Sequence, residues 1–479
     1  MATTTVIATI GPASAAPDTL RALHRAGMGV ARLNGSHGDL DWHRTTIALL
    51  RDTLPDLPIL LDIPGRKIRT TQLRIEPSFA AGDVVTLTTD PSHDGSEKVP
   101  VNYARFHEKL RAGVRIYADD GTLSFVVDAV RGQDVRVIAE TAGTLKSRKG
   151  INVPEIDLGH DLVTPRDREM IAFAKETGVD FVGISFVESA AHVGAIRALI
   201  GGATPQIVAK VENRGGLEHL DEIAAAADAL MIDRGDLSVE TGLDHVSLHQ
   251  RTIVASARRH AKPVIVATEL LHSMIDSPLP TKAEIGDITH SVIDGASAVM
   301  LSGETAVGKF PVEAVARLHG IAALADAHRA TLAASARPVA DADYDDLRAA
   351  TQALARTLPV SKVVVLSRTG HAARLVSMAQ IRQPIVAVGS DRARVRAWNL
   401  LPGTTGVHLP QLDVGSADAV PAALEALWLD GRVDEHDVVL TVLAASDAND
   451  ASLNALQTVR IGALAKERGW SADRTLEAA

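Results

Sequence analysis

Short runs of Val, Ile and Leu recur along the first two thirds of the chain and alternate with stretches of helical periodicity. The eight runs are VIATI, VARLN, PILLD, FVGISF, IVAKVEN, ALMIDRG, PVIVATE and AVMLSGE. Segments between them, such as LDEIAAAADA and LHQRTIVASARRHAK, have the spacing and composition of amphipathic helices. Alternating strands and helices predict right-handed parallel crossovers, and eight such units predict a closed (β/α)8 TIM barrel.

The alternation changes twice along the chain. Between the third and fourth runs, residues 70–150 contain short strand-like pieces and turns, which predict a small antiparallel β domain inserted into a barrel loop. After the eighth unit, the segment TLAASARPVADAD resembles a linker to a further α/β pattern that contains KVVVLS, PIVAVG and VVLTVL. We therefore predict a barrel formed by residues 1–69 and 151–335, the inserted β domain, and a C-terminal α/β domain at 336–479.

The composition of the chain argues against several classes of partner and of active-site chemistry. The 479 residues include 49 Lys and Arg against 59 Asp and Glu, a formal net charge of −10, which argues against a general nucleic-acid or anionic-membrane partner. Cysteine is absent, which excludes disulfides, thiolate metal sites and thiol nucleophiles, so any metal must be held by oxygen or imidazole. No apolar run is long enough to span a bilayer, and we expect a cytoplasmic protein.

Polar residues stand at the carboxyl ends of the predicted barrel strands, where barrel enzymes carry their active sites. One such residue is easily explained as a helix cap, but the convergence of many favours a functional site. These strand-end residues are Arg32, Asn34, Ser36, Asp62, Ser185, Lys210, Glu212, Arg234, Asp236, Thr268, Ser302 and Glu304.

Lys210 and Glu212 are two residues apart in one run, so their side chains face the same side of a strand. A structural salt bridge is the plain interpretation. Glu212 and Asp236 could instead share one hard divalent cation through oxygen ligands, leaving positions for water and a substrate phosphate, as Mg²⁺ prefers. Lys210 would then face the same anion as the metal.

Several ordered segments resemble the pyruvate kinase family over about two thirds of the chain. They are ATIGPAS (8–14), GMGVARLNGSHG (27–38), DDG (119–121), KGINVP (149–154), AKVEN (209–213), RGDLSVE (234–240), PVIVATELLHSM (263–274) and LSGETAVGKFP (301–311). The resemblance implies transfer of a phosphoryl group from phosphoenolpyruvate to ADP, giving pyruvate and ATP. It also implies that the inserted domain is a small β-barrel that acts as a lid, a requirement for Mg²⁺ or Mn²⁺, and assembly as a homotetramer.

The resemblance also assigns roles at the reacting centre. It implies that Glu212 and Asp236 ligate Mg²⁺, and that Lys210 stabilises the phosphoryl group in transfer and the developing enolate. Arg32 would hold the phosphate, and Thr268 would help to deliver a proton to the enolate.

Other roles concern the substrate carboxylate and the nucleotide. The backbone at Gly235 and Asp236, at the start of a short helix, would receive the carboxylate, because a helix amino terminus suits an anion. The residues implied to lie at the nucleotide end are Asn34, His37, Arg69 and Lys149. The DDG segment is either a hairpin turn or a further nucleotide contact.

The third strand departs from the family pattern Asp-Thr-Lys-Gly-Pro-Glu-Ile-Arg, because this chain has DIPGRKIR at 62–69. In potassium-requiring members, asparagine, serine, aspartate and the threonine surround a monovalent cation. Asn34, Ser36 and Asp62 remain here, whereas Ile63 offers no side-chain oxygen. Lys67 replaces the glutamate, and its ammonium can supply the charge that K⁺ would bring. We predict a potassium-independent enzyme; the alternative is a surface lysine without a role.

Five further departures are Gly35, Glu188, Asp233, Glu269 and Lys282. Gly35 stands where a larger residue is usual, Glu188 where a basic residue is common, and Asp233 where a small one is usual. Glu269 replaces glutamine and Lys282 replaces arginine. They indicate a working but divergent enzyme, or a specialised paralogue acting on another enol phosphate.

In the C-terminal domain, SRTGHAARLVSM (367–378) resembles the family's sugar-phosphate effector loop. Ser367, Thr369 and Gly370 are candidate effector contacts, although Ala372 lacks the expected hydroxyl and LAASDANDASLN replaces a later glycine-rich loop. A plain helix cap is equally consistent with this segment.

Two other classes of function remain open at this point. A metal-dependent lyase or aldolase barrel acting on pyruvate could also use Glu212 and Asp236, but it would not obviously need the inserted lid or Lys149. A catalytically weak regulatory homologue is favoured by the departures. The nucleotide preference and any effector remain undetermined by the sequence.

Overall fold

The computed structural model describes residues 3–119, 121–154, 162–335, 346–444 and 454–470. The first part of the barrel contains three parallel strands separated by two helices. In chain order these are β1 (Thr5–Thr9), α1 (Pro17–Ala26), β2 (Met28–Asn34), α2 (Leu40–Thr53) and β3 (Ile59–Ile63). Helix α1 begins with a proline in its first turn, and the Asp39 side chain caps α2 by accepting from the Trp42 amide.

An inserted β domain follows β3, as the sequence predicted. Its strands are β4 (Ile68–Arg69), β5 (Ser78–Phe79), β6 (Val84–Thr88), β7 (Val99–Pro100), β8 (Arg115–Ala118), β9 (Leu123–Arg131), β10 (Asp134–Ala139), β11 (Gly143–Thr144) and β12 (Gly150–Asn152). Seven of them form one sheet in the order β4-β12-β8-β9-β10-β6-β7, and β5 pairs with β11. The domain has its own apolar core, which includes Phe106 and Phe125. Because β4 and β12 pair, the chain enters and leaves the insertion side by side.

The chain then completes the barrel. The remaining elements are α3 (Pro165–Thr177), β13 (Phe181–Ile184), α4 (Ala190–Ile200), β14 (Gln206–Val211), α5 (Arg214–Glu218), α6 (Leu220–Ala226), β15 (Ala229–Asp233), α7 (Arg234–Thr241), α8 (Val246–Arg259), β16 (Val264–Ala267), α9 (Lys282–Asp294), β17 (Ala298–Leu301), α10 (Gly303–Ala306) and α11 (Pro311–Ser335). The eight strands close in the order β1-β17-β16-β15-β14-β13-β3-β2. The predicted (β/α)8 barrel is therefore confirmed.

Side chains on each barrel strand alternate between two apolar layers. Ala209 and Val211 of β14 pack outward against the helices, whereas Val208 belongs to the cluster inside the barrel. On β15, Leu230 and Ile232 likewise pack outward. Lys210 therefore shares the inward parity of Val208, because residues two apart on a strand face the same side. Polar residues at this parity near the carboxyl ends point toward the mouth of the barrel.

The C-terminal domain is a five-stranded sheet with helices. Its elements are α12 (Asp346–Thr357), β18 (Lys362–Leu366), α13 (His371–Ser377), β19 (Ile385–Gly389), α14 (Arg392–Ala397), β20 (Thr404–His408), α15 (Ala419–Leu429), β21 (Val438–Ala444), β22 (Asn454–Arg460) and α16 (Ile461–Arg468). The strand order is β20-β19-β18-β21-β22, and only β22 runs antiparallel to its neighbour. The predicted C-terminal α/β domain is confirmed.

Asp180 joins this domain to the barrel. Its carboxylate accepts from Arg51 at 2.7 Å and from Arg396 of α14 at 2.8 Å.

Two predicted features lie largely outside the described residues, namely the linker at 331–343 and the loop at 443–454. Asp120 of the DDG segment also lies outside them. Within the described ranges, no helix combines the length and apolarity needed to cross a membrane.

Candidate active site

Arg32 and Asp62 form a buried ion pair between the neighbouring strands β2 and β3. The Arg32 guanidinium donates to Asp62 Oδ2 from Nε at 2.8 Å and lies 2.7 Å from it through Nη2, and it donates to Thr9 Oγ1 at 3.0 Å. On the other side, a Cβ at Gly183 would lie only 1.8 Å from Asp62 Oδ1. Only glycine at this position leaves room for the carboxylate that orients Arg32.

Lys210 lies at the centre of the barrel mouth. Its Nζ is 3.2 Å from Glu212 Oε2 and 3.0 Å from Asp233 Oδ2, and it donates to Ser185 Oγ at 3.2 Å. Burial by itself would lower the pKa of this ammonium. The carboxylates of Glu212, Asp233 and Asp62 outweigh burial and hold the pKa above its usual value, so Lys210 is charged.

Three buried carboxylates converge beside Lys210. Glu212, Asp233 and Asp236 each offer an oxygen, and these oxygens lie within 4.8 Å of one another. Glu212 Oε1 accepts from the Phe186 amide at 2.8 Å, whereas its Oε2 accepts no hydrogen bond from the part of the chain that the structure describes. Carboxylate oxygens are the ligands that hard divalent cations prefer, so this donor set fits Mg²⁺ or Mn²⁺.

The pKa of the Glu212 carboxyl is consistent with a site for a divalent cation. Burial raises the pKa of its carboxyl above the usual range, and the nearby Asp233 and Asp236 carboxylates raise it further, against the effect of Lys210. A divalent cation in the cluster would remove this penalty on the ionised form.

Sequence reasoning missed Asp233 as a site residue and recorded it only as a departure. Asp233 ends β15 and has the same inward parity as Met231, which belongs to the cluster inside the barrel. That parity was readable from the sequence and could have identified the residue.

Lys67 lies in the segment between β3 and β4, and its ammonium contacts a predicted metal ligand. Nζ donates to Asp236 Oδ1 at 2.5 Å and to Oδ2 at 2.6 Å, and it lies 5.7 Å from the centre of the Phe186 ring. The side chain is 8% exposed, so Lys67 is not a surface lysine, and its role as a substitute for K⁺ stays a prediction.

The predicted monovalent-cation residues are engaged with other groups in the structure. The Asn34 amide oxygen accepts from the Ser36 backbone at 3.1 Å, and Ser36 Oγ accepts from Arg69 at 3.3 Å. The Asp62 carboxylate binds Arg32. Ile63 packs in the outer apolar layer rather than toward the barrel mouth.

Cationic residues from the barrel and the lid come together around His37. Burial lowers the pKa of the His37 imidazole, and Arg69, Arg32, Lys149 and Arg148 lower it further in that order. Because several cations act on one imidazole, the region between barrel and lid is electropositive.

Lys149 is held in place by the lid. Its Nζ lies 2.6 Å from an Asp119 carboxylate oxygen, the first residue of the DDG segment. Asp119 therefore positions a predicted nucleotide contact.

Thr268 and Gly235 adjoin at the carboxyl ends of β15 and β16. The Gly235 amide donates to Thr268 Oγ1 at 3.1 Å, and that hydroxyl donates to the Ala267 carbonyl at 2.6 Å. Thr268 has a φ of 69°, an uncommon conformation for a β-branched residue. Arg234 secures this turn because it donates to the Thr268 carbonyl at 2.6 Å and to Asp287 at 2.7 Å.

Two of the departures from the family pattern have a structural reason. A Cβ at Gly35 would lie 2.5 Å from the Asp62 carbonyl oxygen, which the Gly35 amide contacts at 2.8 Å, so a larger residue does not fit this backbone. Glu188 forms an ion pair with Arg66 and accepts from Asn213 at 3.0 Å.

The candidate effector segment uses its hydroxyls internally. Ser367 Oγ accepts from the Gly370 amide at 2.9 Å, and Thr369 Oγ1 accepts from the His371 amide at 3.4 Å, at the start of α13. A Cβ at Gly370 would lie 2.2 Å from Nε1 of Trp398. These contacts lie within the turn that leads into α13, and effector binding by this segment stays a prediction.

Glu240 of α7 connects the barrel to the end of the lid. Its Oε1 accepts from the Asn152 amide nitrogen of β12 at 2.8 Å. Burial raises the pKa of its carboxyl to about 7, with the Asp236 and Glu188 carboxylates adding to the effect of burial. The ionised form is therefore disfavoured in the folded chain.

We expect Glu240→Gln to become more stable relative to the parent as pH rises from 5 to 8. The carboxyl ionises with a pKa near 4.5 when unfolded and about 7 when folded, so ionisation destabilises the parent progressively between these values. The free energy of unfolding of the variant should exceed that of the parent by up to about 3 kcal/mol, because each pKa unit corresponds to about 1.4 kcal/mol. Urea unfolding in EDTA at both pH values measures it. The exposed Glu169→Gln is the control, and a pH-independent difference for Glu240→Gln would contradict the assignment.

Comparison with known proteins agrees with this geometry. The family sequence model for the pyruvate kinase barrel domain matches residues 1–315. The family sequence model for the pyruvate kinase alpha/beta domain matches residues 345–458. The chain is 35% identical to a pyruvate kinase of Bacillus licheniformis, over 95% of this chain and 80% of that protein. It is 35% identical to a pyruvate kinase of Thermococcus litoralis, over 85% of this chain and 88% of that protein. It is 33% identical to a pyruvate kinase of Mycobacterium tuberculosis, over 95% of this chain and 98% of that protein.

The matched barrel region contains Lys210, the three carboxylates and the Arg32–Asp62 pair, and the matches extend over the insertion and most of the C-terminal domain. Fold, site and sequence relatives agree, and the chain belongs to the pyruvate kinase family.

Proposed function

We propose how the residues of this chain carry out the pyruvate kinase reaction, in which the phosphoryl group of phosphoenolpyruvate passes to ADP and leaves pyruvate and ATP. The observation that carries the proposal is the buried Lys210 ammonium among three carboxylates at the mouth of the barrel. Phosphoryl transfer needs positioning and charge neutralisation more than covalent catalysis, and this site supplies both.

Transfer breaks the bond between phosphorus and the enol oxygen and forms a bond to a terminal oxygen of ADP. Lys210 stabilises the charge that develops on the enol oxygen and on the phosphoryl oxygens. Arg32 binds the phosphate, and its contacts with Asp62 and Thr9 hold the guanidinium in one orientation. Preset cations of this kind need not reorganise as the transition state forms.

The family generally needs a divalent metal, and we propose Mg²⁺ or Mn²⁺ held by Glu212 and Asp236. When bound, such a cation neutralises charge on the phosphoryl oxygens. Glu212 Oε2 lies 3.2 Å from the Lys210 ammonium but accepts no hydrogen bond from the described residues, and this oxygen and the oxygen-only donor set support the choice.

The enolate that remains takes a proton at its methylene carbon, and we assign delivery of that proton, directly or through water, to Thr268. The backbone amides of Gly235 and Asp236 receive the substrate carboxylate at the amino terminus of α7. The 3.1 Å contact between the Gly235 amide and Thr268 Oγ1 supports one shared subsite for these roles.

The nucleotide end is assigned to Asn34, His37, Arg69 and Lys149. The lowered pKa of His37 supports an electropositive subsite there, because burial and the surrounding cations produce it. Closure of the lid would exclude water, which protects the phosphoryl donor from hydrolysis. We further propose a cytoplasmic homotetramer, by resemblance to the family.

We expect the full-length protein to convert phosphoenolpyruvate and ADP to pyruvate and ATP with Mg²⁺ at nearly the same rate with and without KCl. Ionic strength is held constant with tetramethylammonium chloride, and both products are measured in coupled assays. The reason is that Lys67 already supplies a buried cation beside Asp236. Lys67→Glu should create a many-fold activation by KCl, whereas Lys309→Glu, on an exposed lysine, should not.

Each outcome has a separate meaning. A many-fold activation of the parent by KCl would refute potassium independence while leaving the reaction intact. Failure to form pyruvate under either condition would refute the activity and favour a regulatory homologue.

A further inference from the structure

We propose that Asp233 is a third carboxylate ligand of the divalent cation, beside Glu212 and Asp236. This inference rests on the proposed function, because it concerns the metal of the same site. The pattern to which this chain is similar has a small residue at this position, so the ligand is a property of this chain and not of the resemblance.

The geometry brings Asp233 within reach of one shared ion. Oxygens of Glu212, Asp233 and Asp236 lie within 4.8 Å of one another. Two oxygens on one Mg²⁺ are at most about 4.2 Å apart, since each bond is about 2.1 Å long. Adjacent oxygens on an octahedral ion are closer, at about 3.0 Å, so side-chain movements on the order of 1 Å would bring all three onto one cation.

The position of Asp233 on the backbone makes this arrangement rigid. It is the last residue of β15, and its backbone pairs in register with Ala267 of β16. Asp236 follows in the first turn of α7, which starts directly after the strand. A strand end and a helix start thus present two carboxylates, and Glu212 joins them from the neighbouring strand β14.

A second observation points to a cation in the cluster. Glu212 is fully buried, and its Oε2 accepts no hydrogen bond from any described residue, with the Lys210 ammonium 3.2 Å away. An ion pair alone compensates the burial of a carboxylate oxygen only in part when that oxygen accepts no hydrogen bond. A cation bound by the three carboxylates would satisfy it.

The charges of the site support the same assignment. Replacing the family's glutamate with Lys67 makes the site more positive by two charges. The Asp233 carboxylate offsets one of these two positive charges, and the proposed absence of a required K⁺ removes the other. The added carboxylate therefore offsets the ammonium that Lys67 places on Asp236.

The competing role for Asp233 is that of a counter-ion for Lys210, which it contacts at 3.0 Å. The two roles differ in what they do to metal binding. Loss of a ligand leaves a coordination position that water fills, whereas loss of a counter-ion of Lys210 changes the charge near the metal and leaves the number of metal-bound waters unchanged.

The test is a titration of the full-length protein with Mn²⁺ in the absence of substrates. Electron paramagnetic resonance measures the concentration of free Mn²⁺ at each step. We expect Asp233→Asn to weaken Mn²⁺ affinity about tenfold or more, and we take the number of metal-bound waters as the measurement that identifies a ligand. Water proton relaxation by bound Mn²⁺ should increase, because water replaces the lost carboxylate. Asp233→Ala, which introduces a small residue, is the second variant should the first fold poorly.

Glu188→Gln is the matched control, since it removes a nearby carboxylate that pairs with Arg66 and lies outside the three-carboxylate cluster. It should leave Mn²⁺ affinity within about twofold, as expected for a charge that is not a ligand. Unchanged relaxation in both Asp233 variants would overturn the proposal whatever their affinity, as would a parent that binds no Mn²⁺.

Failure of this inference can be told apart from failure of the proposed function. An active parent whose Mn²⁺ affinity is insensitive to Asp233 retains the function and loses the third ligand. A parent that forms no pyruvate but whose Mn²⁺ affinity falls with Asp233→Asn retains the ligand and loses the function.

Discussion

Lys210→Met is expected to lower kcat by at least about 10³-fold, equivalent to about 4 kcal/mol of lost transition-state stabilisation. Methionine keeps the length of the side chain and removes the charge, and Lys210 contacts both Glu212 and Asp233 in a buried site. The effect should fall on kcat, because the interaction grows as charge develops on the enol oxygen. The coupled assay for pyruvate measures it, and circular dichroism checks the fold.

Lys262→Met provides a matched control for the loss of a largely buried lysine. Lys262 lies just before β16, at the opposite end of the barrel strands, and donates to the carbonyls of Ala225 and Ala227 at 3.2 and 2.5 Å. Its replacement should cost stability but leave kcat within a few-fold, as roughly expected for a residue outside the site. Undiminished turnover in Lys210→Met would refute the role assigned to that ammonium.

Gly183→Ala is expected to lower kcat/KM for phosphoenolpyruvate about 100-fold although residue 183 carries no functional group. The new Cβ would lie 1.8 Å from Asp62 Oδ1 and 3.0 Å from Asp62 Cγ, so the carboxylate must move. Arg32 loses its orientation as a result, because Asp62 accepts from its Nε and contacts its Nη2. Overpacking at this buried site should also cost about 1–3 kcal/mol of stability.

Gly194→Ala is the matched control, since a Cβ there would meet no described heavy atom within 4 Å apart from its chain neighbours and the adjacent backbone of its own helix. This glycine lies within α4, where alanine should raise stability by about 0.5–1 kcal/mol and leave activity unchanged. Equal activity of the Gly183→Ala variant and the parent would show that Asp62 does not orient Arg32 for catalysis.

Much of the fold and part of the site could be predicted from the chain. The alternation of β-branched runs with helical segments predicts the barrel, because each strand must bury one face inside and one face under a helix. The same two-residue period predicts that Lys210 and Glu212 point to one side, and the structure confirms their contact at 3.2 Å. The insertion and the C-terminal sheet were also visible as changes of pattern.

The pairings that define the site were decided by the tertiary structure. Lys67 contacts Asp236 across 169 positions of sequence, and Arg66 pairs with Glu188 across 122. Asp233 contacts Lys210 because β14 and β15 are neighbours in the closed barrel. Local periodicity determines which way a side chain faces, since that depends only on the pleat of its own strand. Which cation meets which carboxylate depends on strand order, barrel closure and side-chain reach, and these exist only after distant segments have packed together.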